Sequence, residues 1–384
     1  MDIKQVYQFT NDAVKQVLGK SDLLKEDLTN IVDVGNEVMN NKSLDAFVHS
    51  LVDHIGKVVF VDRLYTSQAP SVLRDNWEYG SILEKIDSAL PDASEAEMWE
   101  LQDGASYDSN IFYGSKVTAK FFNKRVTFEI DKSIPTSQAK SAFSSAEQMG
   151  SFIARIFTKV KNAYTIRLDK LIRSTICNAV ASTYQADIGS NDATKTTGVK
   201  AVNLLKLYND ATGETLTKDK ALINAEFLKF AALKMEEYSD NREKYSTLFN
   251  VGATDKFTPK ADQKMVLLSA FKRACNTYLK YAMEDSNFTA LPSGDVVSYW
   301  QGSGKSFDLK DTAHVNVKDA DGNDVDIACL IGCIFDKNAL GVCCQKEETT
   351  SNFVAKGNFT NYFWFYTAGF FNDLNENMVI FFLA

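Results

Sequence analysis

The chain has 384 residues, a net charge of -8, 45% hydrophobic and 12% aromatic residues, and only 5 prolines. This composition excludes disordered and collagen-like classes, and at roughly 150 residues per domain it points to two or three lobes with a substantial core. The acidic balance and the lack of a Lys/Arg-dense block exclude a sequence-specific duplex-DNA reader, since phosphate neutralisation supplies much of that affinity. A protein that encloses nucleic acid without gripping it stays open. Met1 to Gln5 lacks a signal-peptide n-region, and no apolar run approaches ~18 residues, so neither secretion nor a membrane is expected.

Residues 1–40 place Val14, Val17, Leu18, Leu23, Leu24, Leu28, Ile31 and Val32 at helical spacing, which predicts a helical arm in need of a partner surface. Ser43 is positioned to cap a helix with the apolar face Leu44, Phe47, Val48, Leu51, Val52 and Ile55, stopped at Gly56 and followed by a strand from Val58 to Tyr65. From Trp77 to Ile134 the pattern predicts a long excursion. An acidic stretch (Asp92, Glu95, Glu97, Glu100, Asp103) leads to a ribbon of Phe112 to Lys120 and Val126, Phe128 and Ile130 about a turn near Asn123. A solitary ribbon is marginal in water, so Phe121, Phe122, Val126 and Phe128 must lie on their own domain or on a neighbouring subunit, and the residues leave both open.

Ser144-Ser145-Ala146-Glu147 reads as a capping box. Behind it Met149, Phe152, Ile153, Ile156, Phe157, Val160, Tyr164, Leu168, Leu171, Ile172 and Ile176 recur at steps of three and four, predicting one helix of order 60 Å as a spine. Its basic residues Arg155, Lys159, Lys161, Arg167, Lys170 and Arg173 fall mostly off that stripe and read as a solvated face, with nucleic-acid contact as the alternative. The polar loop Asp187 to Gly198 opens a second, α+β lobe. It contains a helix headed by Asn224 (Phe227, Leu228, Ala231, Leu233), a short strand Thr247 to Asn250, a strand Met265 to Leu268 and a helix to about Met283. Strands return at Ile327 to Phe335 and Leu340 to Cys343. The aromatic runs Tyr362 to Tyr366, Phe370-Phe371 and Met378 to Phe382 would aggregate if exposed, so they must be central strands.

No catalytic constellation emerges. The three histidines, His49, His54 and His314, give no metal spacing, and adjacent Cys343 and Cys344 would point to opposite faces of a strand, so no metal or other cofactor is expected. The six cysteines suit a reducing compartment. Gly302 to Ser306 ends like a phosphate loop but lacks the first glycine and a preceding strand, so a surface loop is the better account. Asp319 to Asp326 imitates a calcium loop with its glycine at the wrong position, and alternation on both sides (His314 to Lys318, Val325 to Cys329) predicts a hairpin turn, with weak cation binding still open.

The order of parts, with the stretch Ser50 to Val59, the strand end Ile334-Phe335-Asp336-Lys337-Asn338 and the aromatic final strands, resembles tailed-bacteriophage major capsid proteins of the Hong Kong 97 fold. The similarity is greatest to the short-tailed-phage branch. The resemblance implies an α+β fold with an arm (1–42), a peripheral domain (43–74 and 135–198, spine 144–184), an extended loop (75–134), an axial domain (199–325) and return strands (326–384) completing the sheets. It further implies a structural, non-enzymatic subunit that forms pentamers and hexamers of an icosahedral shell around double-stranded DNA, assembled in the bacterial cytoplasm. A separate scaffolding protein, a portal and non-specific DNA contact would accompany it, and no appended immunoglobulin-like module is expected. Candidate subunit contacts are Phe121, Phe122, Lys124, Val126, Phe128, Leu18 and Leu24. Lys116, Lys120 and Lys124 are cross-link candidates by location alone. The competing reading is a soluble α+β enzyme or binding protein with an unrecognised carboxylate site.

Overall fold

The structure, a computed structural model, describes residues 3–19, 23–40, 43, 44, 46–52, 69–74, 83–88, 110, 112, 114, 117–189, 191–281, 294–301, 308–318, 322 and 324–384. Its strands in chain order are β1 Leu83–Ser88, β2 Val117–Phe122, β3 Arg125–Pro135, β4 Ala201–Asn203, β5 Gln263–Leu268, β6 Asp295–Val297, β7 Val315–Lys318, β8 Asp324–Ile327, β9 Leu330–Asp336, β10 Leu340–Val354, β11 Phe359–Asn372 and β12 Met378–Phe382. Four sheets result: β1-β2, β10-β11-β3, β4-β12-β9-β5-β6 and β7-β8.

The spine helix spans Ala146–Asp187, 42 residues and about 63 Å at 1.5 Å per residue. It starts one residue later than the capping box suggests. Ser145 is the cap, accepting a hydrogen bond from the backbone N–H of Gln148 at 3.2 Å, while the Ser144 hydroxyl donates to the carbonyl of Ser141. Propensity alone does not hold a helix of this length in place; packing does. Met149, Ile153, Ile156 and Val160 enter one hydrophobic cluster, and Leu168, Ile172, Ile176, Val180 and Tyr184 enter another. Tyr164 packs against both.

The first cluster unites this helix with the N-terminal segment and the inner face of the β10-β11-β3 sheet. Alternation along β11 buries Tyr362, Trp364 and Tyr366 on that face. Tyr366 lies 5.0 Å from Tyr164 and 5.4 Å from Phe128, centroid to centroid. The helices Ile3–Leu18 and Ile31–Asn40, with helical residues 44 and 46–52, supply Val6, Phe9, Val14, Ile31, Val34, Val38, Leu44, Phe47, Leu51 and Val52, and the non-helical connection between the two helices adds Leu24 and Leu28. The surface the arm requires is therefore the chain's own spine: Phe9 and Phe157 are 6.5 Å apart. At Gly35 a Cβ would lie 2.7 Å from the Phe143 ring, so only glycine lets that helix seat.

The second cluster fills the inserted lobe. Its five-stranded sheet has β12 between β4 and β9, with all five β12 residues buried, as its aromatic sequence demands. Helix Ala225–Asn241 is capped by Asn224, whose side chain accepts from the N–H of Phe227 at 3.0 Å, and Ser269–Tyr281 follows β5 directly. The return strands divide between two sheets, β9 and β12 in the lobe and β10 and β11 on the spine, so residues 326–384 stitch the two cores together.

Three sequence expectations are corrected. The predicted strand over Thr247 to Asn250 is a loop. The Asn250 side chain accepts from the N–H of Thr254 and donates to its carbonyl, a local alternative to a β ladder. Leu233 is 63% exposed rather than in the core. The predicted ribbon pairs differently: β2 lies antiparallel to β1, from Leu83 opposite Phe122 to Ser88 opposite Val117, while β3 leaves to pair with β11. β11 offers β3 an unbroken antiparallel ladder from Pro135 to Arg125 within a three-stranded sheet packed on the spine, which a solitary two-stranded hairpin could not supply. The strand expected over Val58 to Tyr65, the acidic stretch 92–103, His54 and the glycine-rich loop 302–306 lie outside the described residues.

Ile156, 2% exposed, and Leu233 make a paired test. Ile156→Asp should cost several kcal/mol by burying an unpartnered carboxylate, whereas Leu233→Asp should stay within about 0.5 kcal/mol. Thermal denaturation of the purified variants separates them, and an unchanged melting temperature for Ile156→Asp would remove the spine from the account.

Candidate assembly interface

The β1-β2 ribbon is amphipathic in an inverted sense. Strand alternation sets Leu83, Lys85 and Asp87 with Phe122, Lys120 and Thr118 on one face, and Glu84, Ile86 and Ser88 with Phe121, Ala119 and Val117 on the other. The face turned to its own chain is the charged one. Lys85 and Lys120, directly opposite each other, both donate to Asp373, at 2.6 Å to Oδ2 and 2.8 Å to Oδ1. Lys85 also binds Glu376, and Lys256 reaches Asp87 at 2.6 Å and Glu376 at 3.6 Å. Phe122 adds an aromatic contact to Phe371, 5.3 Å between centroids.

Two like charges opposed across a ribbon repel unless an anion lies between them. Asp373, its side chain 2% exposed, is that anion. Burial alone would push its carboxyl up, but hydrogen bonds from Lys120 and Lys85, aided by the N–H of Asn375, outweigh burial and hold it below the usual carboxylate range. Lys256 likewise loses hydration, which works against its charge, and Asp87 and Glu376 more than restore it, so its pKa is raised. The turn from Asp373 to Asn377, between β11 and β12, is thus a socket for the ribbon root.

The opposite face carries the exposed apolar side chains: Ile86 is 65% exposed, Phe121 63% and Val117 59%. The sequence-derived contact candidates therefore separate. Phe121, Val126 at 41% exposure, and Lys124 lie at the surface. Phe122 and Phe128 are half-buried against Phe371 and against Tyr164 with Tyr366. Leu24, only 3% exposed, and half-buried Leu18 pack in the chain's first cluster. An amphipathic helix covers the nearest apolar surface, and the spine provides one. Ile86 was missed because the ladder partner of β2 lies some thirty residues upstream, across a segment with no strand periodicity to betray it.

Elsewhere the imitators of chemistry stay structural. His314 pairs with Asp326 across the β7-β8 hairpin, whose register runs from Val315 opposite Ile327 to Lys318 opposite Asp324, as the alternation predicts. His49 lies edge-on to Tyr362, 6.3 Å between centroids. Burial drives the Cys177, Cys275 and Cys329 thiols up to about 12, the inert state of core cysteines. Among the described residues no cluster of His, Cys, Asp or Glu is arranged to hold a metal ion, and no helix is long and apolar enough to cross a membrane.

Several solved phage capsids resemble the chain at low identity. The capsid structure of Staphylococcus phage Andhra matches with 9% identity and a TM-score of 0.48 over 82% of this chain and 83% of that one. The capsid of Cyanophage P-SCSP1u matches with 11% identity and a TM-score of 0.46 over 82% and 86%. The bacteriophage P68 structure of head fiber and inner core protein matches with 9% identity and 0.47 over 81% and 83%. No curated protein sequence matches. A family profile, Phi29-like phage major capsid protein, matches residues 10–382, nearly the whole length. By that match the chain belongs to the family of Phi29-like phage major capsid proteins.

Proposed function

We propose that the subunit builds an icosahedral shell of pentamers and hexamers around double-stranded DNA, and that the outer face of the β1-β2 ribbon is its reach to a neighbouring copy. The observation that carries this is the inversion of the ribbon, with ion pairs holding it to its own chain while Ile86, Val117 and Phe121 stand in solvent. Apolar groups on a solitary, exposed ribbon favour burial, and a second copy is the surface always at hand in an assembling shell. In this reading the extended loop of residues 75–134 contributes β1 and β2 as the reaching element, residues 43–74 and 135–198 form the peripheral domain, and 199–325 form the axial domain. The subunit acts structurally and catalyses no reaction. A separate scaffolding protein and a portal complete the particle, which assembles in the host cytoplasm, and residues 1–42 act as a clamp on the spine.

Two measurements test the ribbon. Ile86→Asp with Phe121→Asp should leave the melting temperature of the isolated subunit unchanged and abolish shells in negative-stain electron microscopy; shells at normal yield would sink the contact. The socket is tested by pH. Because Asp373 is depressed in the folded state, its contribution is complete above the ordinary carboxylate value of 3.8 and is lost as pH falls below it through the folded-state pKa. The protection of residues 83–88 and 117–122 against hydrogen exchange, taken relative to the intrinsic rate at each pH, should therefore fall on acidification in the parent chain. It should already be low at pH 7 in Asp373→Asn, and equal protection in the two proteins at pH 7 would remove the socket.

A further inference from the structure

The spine helix presents a second surface that the ribbon contact leaves unused. At about 100° per residue, Arg155, Lys159, Asn162, Ile166, Lys170 and Arg173 fall within roughly 80° of arc. The stripe they form runs over 18 residue steps, about 27 Å of helix. Arg155, Lys159, Ile166 and Lys170 are exposed, and Arg173 stacks on the Tyr299 ring at 4.5 Å. Arg167 is exposed on the flank, and Lys161 lies 5.8 Å from the Phe157 ring centroid. Between Gln148 and Ala186 the helix carries one acid, the half-buried Asp169, so this stretch has a surplus of five positive charges in a chain whose net charge is -8. Among the described residues Arg155, Lys159, Arg167 and Lys170 form no ion pair, in contrast to the lysines of the ribbon socket and of helix Ala225–Asn241.

Position gives the stripe direction. Tyr164, which touches the sheet at Tyr366, lies on the side of the helix opposite Arg155 and Arg173. The far face of that sheet sets Glu129, Asp131 and Glu348 against Arg125 and Lys346 and is close to neutral. Sheet and helix thus form a layer with one strongly positive side. In a shell one subunit thick, the two sides face opposite compartments, and only one of those holds a polyanion.

Resting on the shell reading above, we infer that the basic stripe Arg155-Lys159-Lys170-Arg173 on the spine helix contacts the phosphate backbone of enclosed duplex DNA without regard to sequence, and that this side of the subunit faces the interior. Spaced cations on one helix face, with Asn162 as a neutral donor among them, suit phosphate contact and lack any set of groups for reading base edges. The surplus is small enough that the contact is weak and erased by salt, as a genome that must leave its container requires.

Fluorescence anisotropy with a labelled 30-base-pair duplex of arbitrary sequence, titrated with purified full-length subunit across salt concentrations, tests this. The parent should bind at low salt, and its log-log salt slope should fall by about 0.9 for each phosphate contact removed, hence by between two and three in Arg155→Gln/Lys159→Gln/Lys170→Gln. Arg125→Gln/Lys346→Gln, on the other side of the layer, should leave the slope unchanged. Both variants should melt as the parent does and still form shells, which keeps this outcome separate from the shell reading. No binding by the parent, or an unchanged slope in the triple variant, overturns the proposal while shells persist. Equal displacement by poly-glutamate of the same charge overturns it in favour of an acidic protein partner, and failure of the parent to form shells overturns the reading beneath it.

Discussion

The amphipathicity of one helix organises everything else. The Ala146–Asp187 helix gives its first half to a core made with the N-terminal segment and the β10-β11-β3 sheet, and its second half to the core of the inserted lobe. A continuous helix transmits orientation along its length, so the two cores share one rigid element. Tyr164, shared by both clusters, marks the place where the buried stripe passes from one to the other. Because 3.6 residues per turn does not match a simple alternation of three and four, such a stripe drifts around a long helix. Here the drift lets the two halves face differently placed partners.

The return strands reinforce that arrangement from the other end of the sequence. β9 and β10 follow one another through Asp336-Lys337-Asn338, yet they lie in different sheets, and β11 and β12 repeat the crossing through Asp373 to Asn377. Two short turns therefore carry every covalent link between the sheets in this part of the chain, and both are rich in polar anchoring. Asp336 is 6% exposed and accepts from the N–H of Asn338. Its charge favours the buried Arg242, whose pKa desolvation nonetheless pushes down to about 10. Arg242 reaches the carbonyl of Asn377 at 3.4 Å, and among the described residues its Nε and Nη1 find no partner. A buried guanidinium held this loosely is a cost that apolar packing nearby must offset, and it ties the two turns to one charge.

The second turn also holds the ribbon, which ties the proposed assembly contact to the architecture of the subunit. A ribbon seated by apolar contacts would have spent its adhesive surface on its own chain. Seated instead by Lys85, Lys120 and Lys256 on Asp373, Glu376 and Asp87, it keeps Ile86, Val117 and Phe121 for use elsewhere. Ion pairs with partly buried partners are directional, so they fix the angle at which the ribbon leaves the body as well as its attachment.

The sequence by itself determined the elements whose signal is local. The spine was legible from steps of three and four, β11 and β12 from aromatic runs that water would not tolerate, the β7-β8 hairpin from alternation about an Asp-rich turn, and the helix cap at Asn224 from its side chain. Tertiary structure alone decided which strands pair and which faces turn outward. On periodicity β2 pairs with β3 about the turn near Asn123, whereas in the fold β3 goes to β11 and β2 to β1. Leu18 and Leu24 have the same apolar character whatever surface they meet, and only the folded chain shows them packed in the first cluster. The socket was invisible because its carboxylates and lysines are separated by up to 291 positions, and charge in a sequence carries no address for its partner. Periodicity records what a segment must bury, whereas the identity of the surface that buries it exists only once the chain has folded.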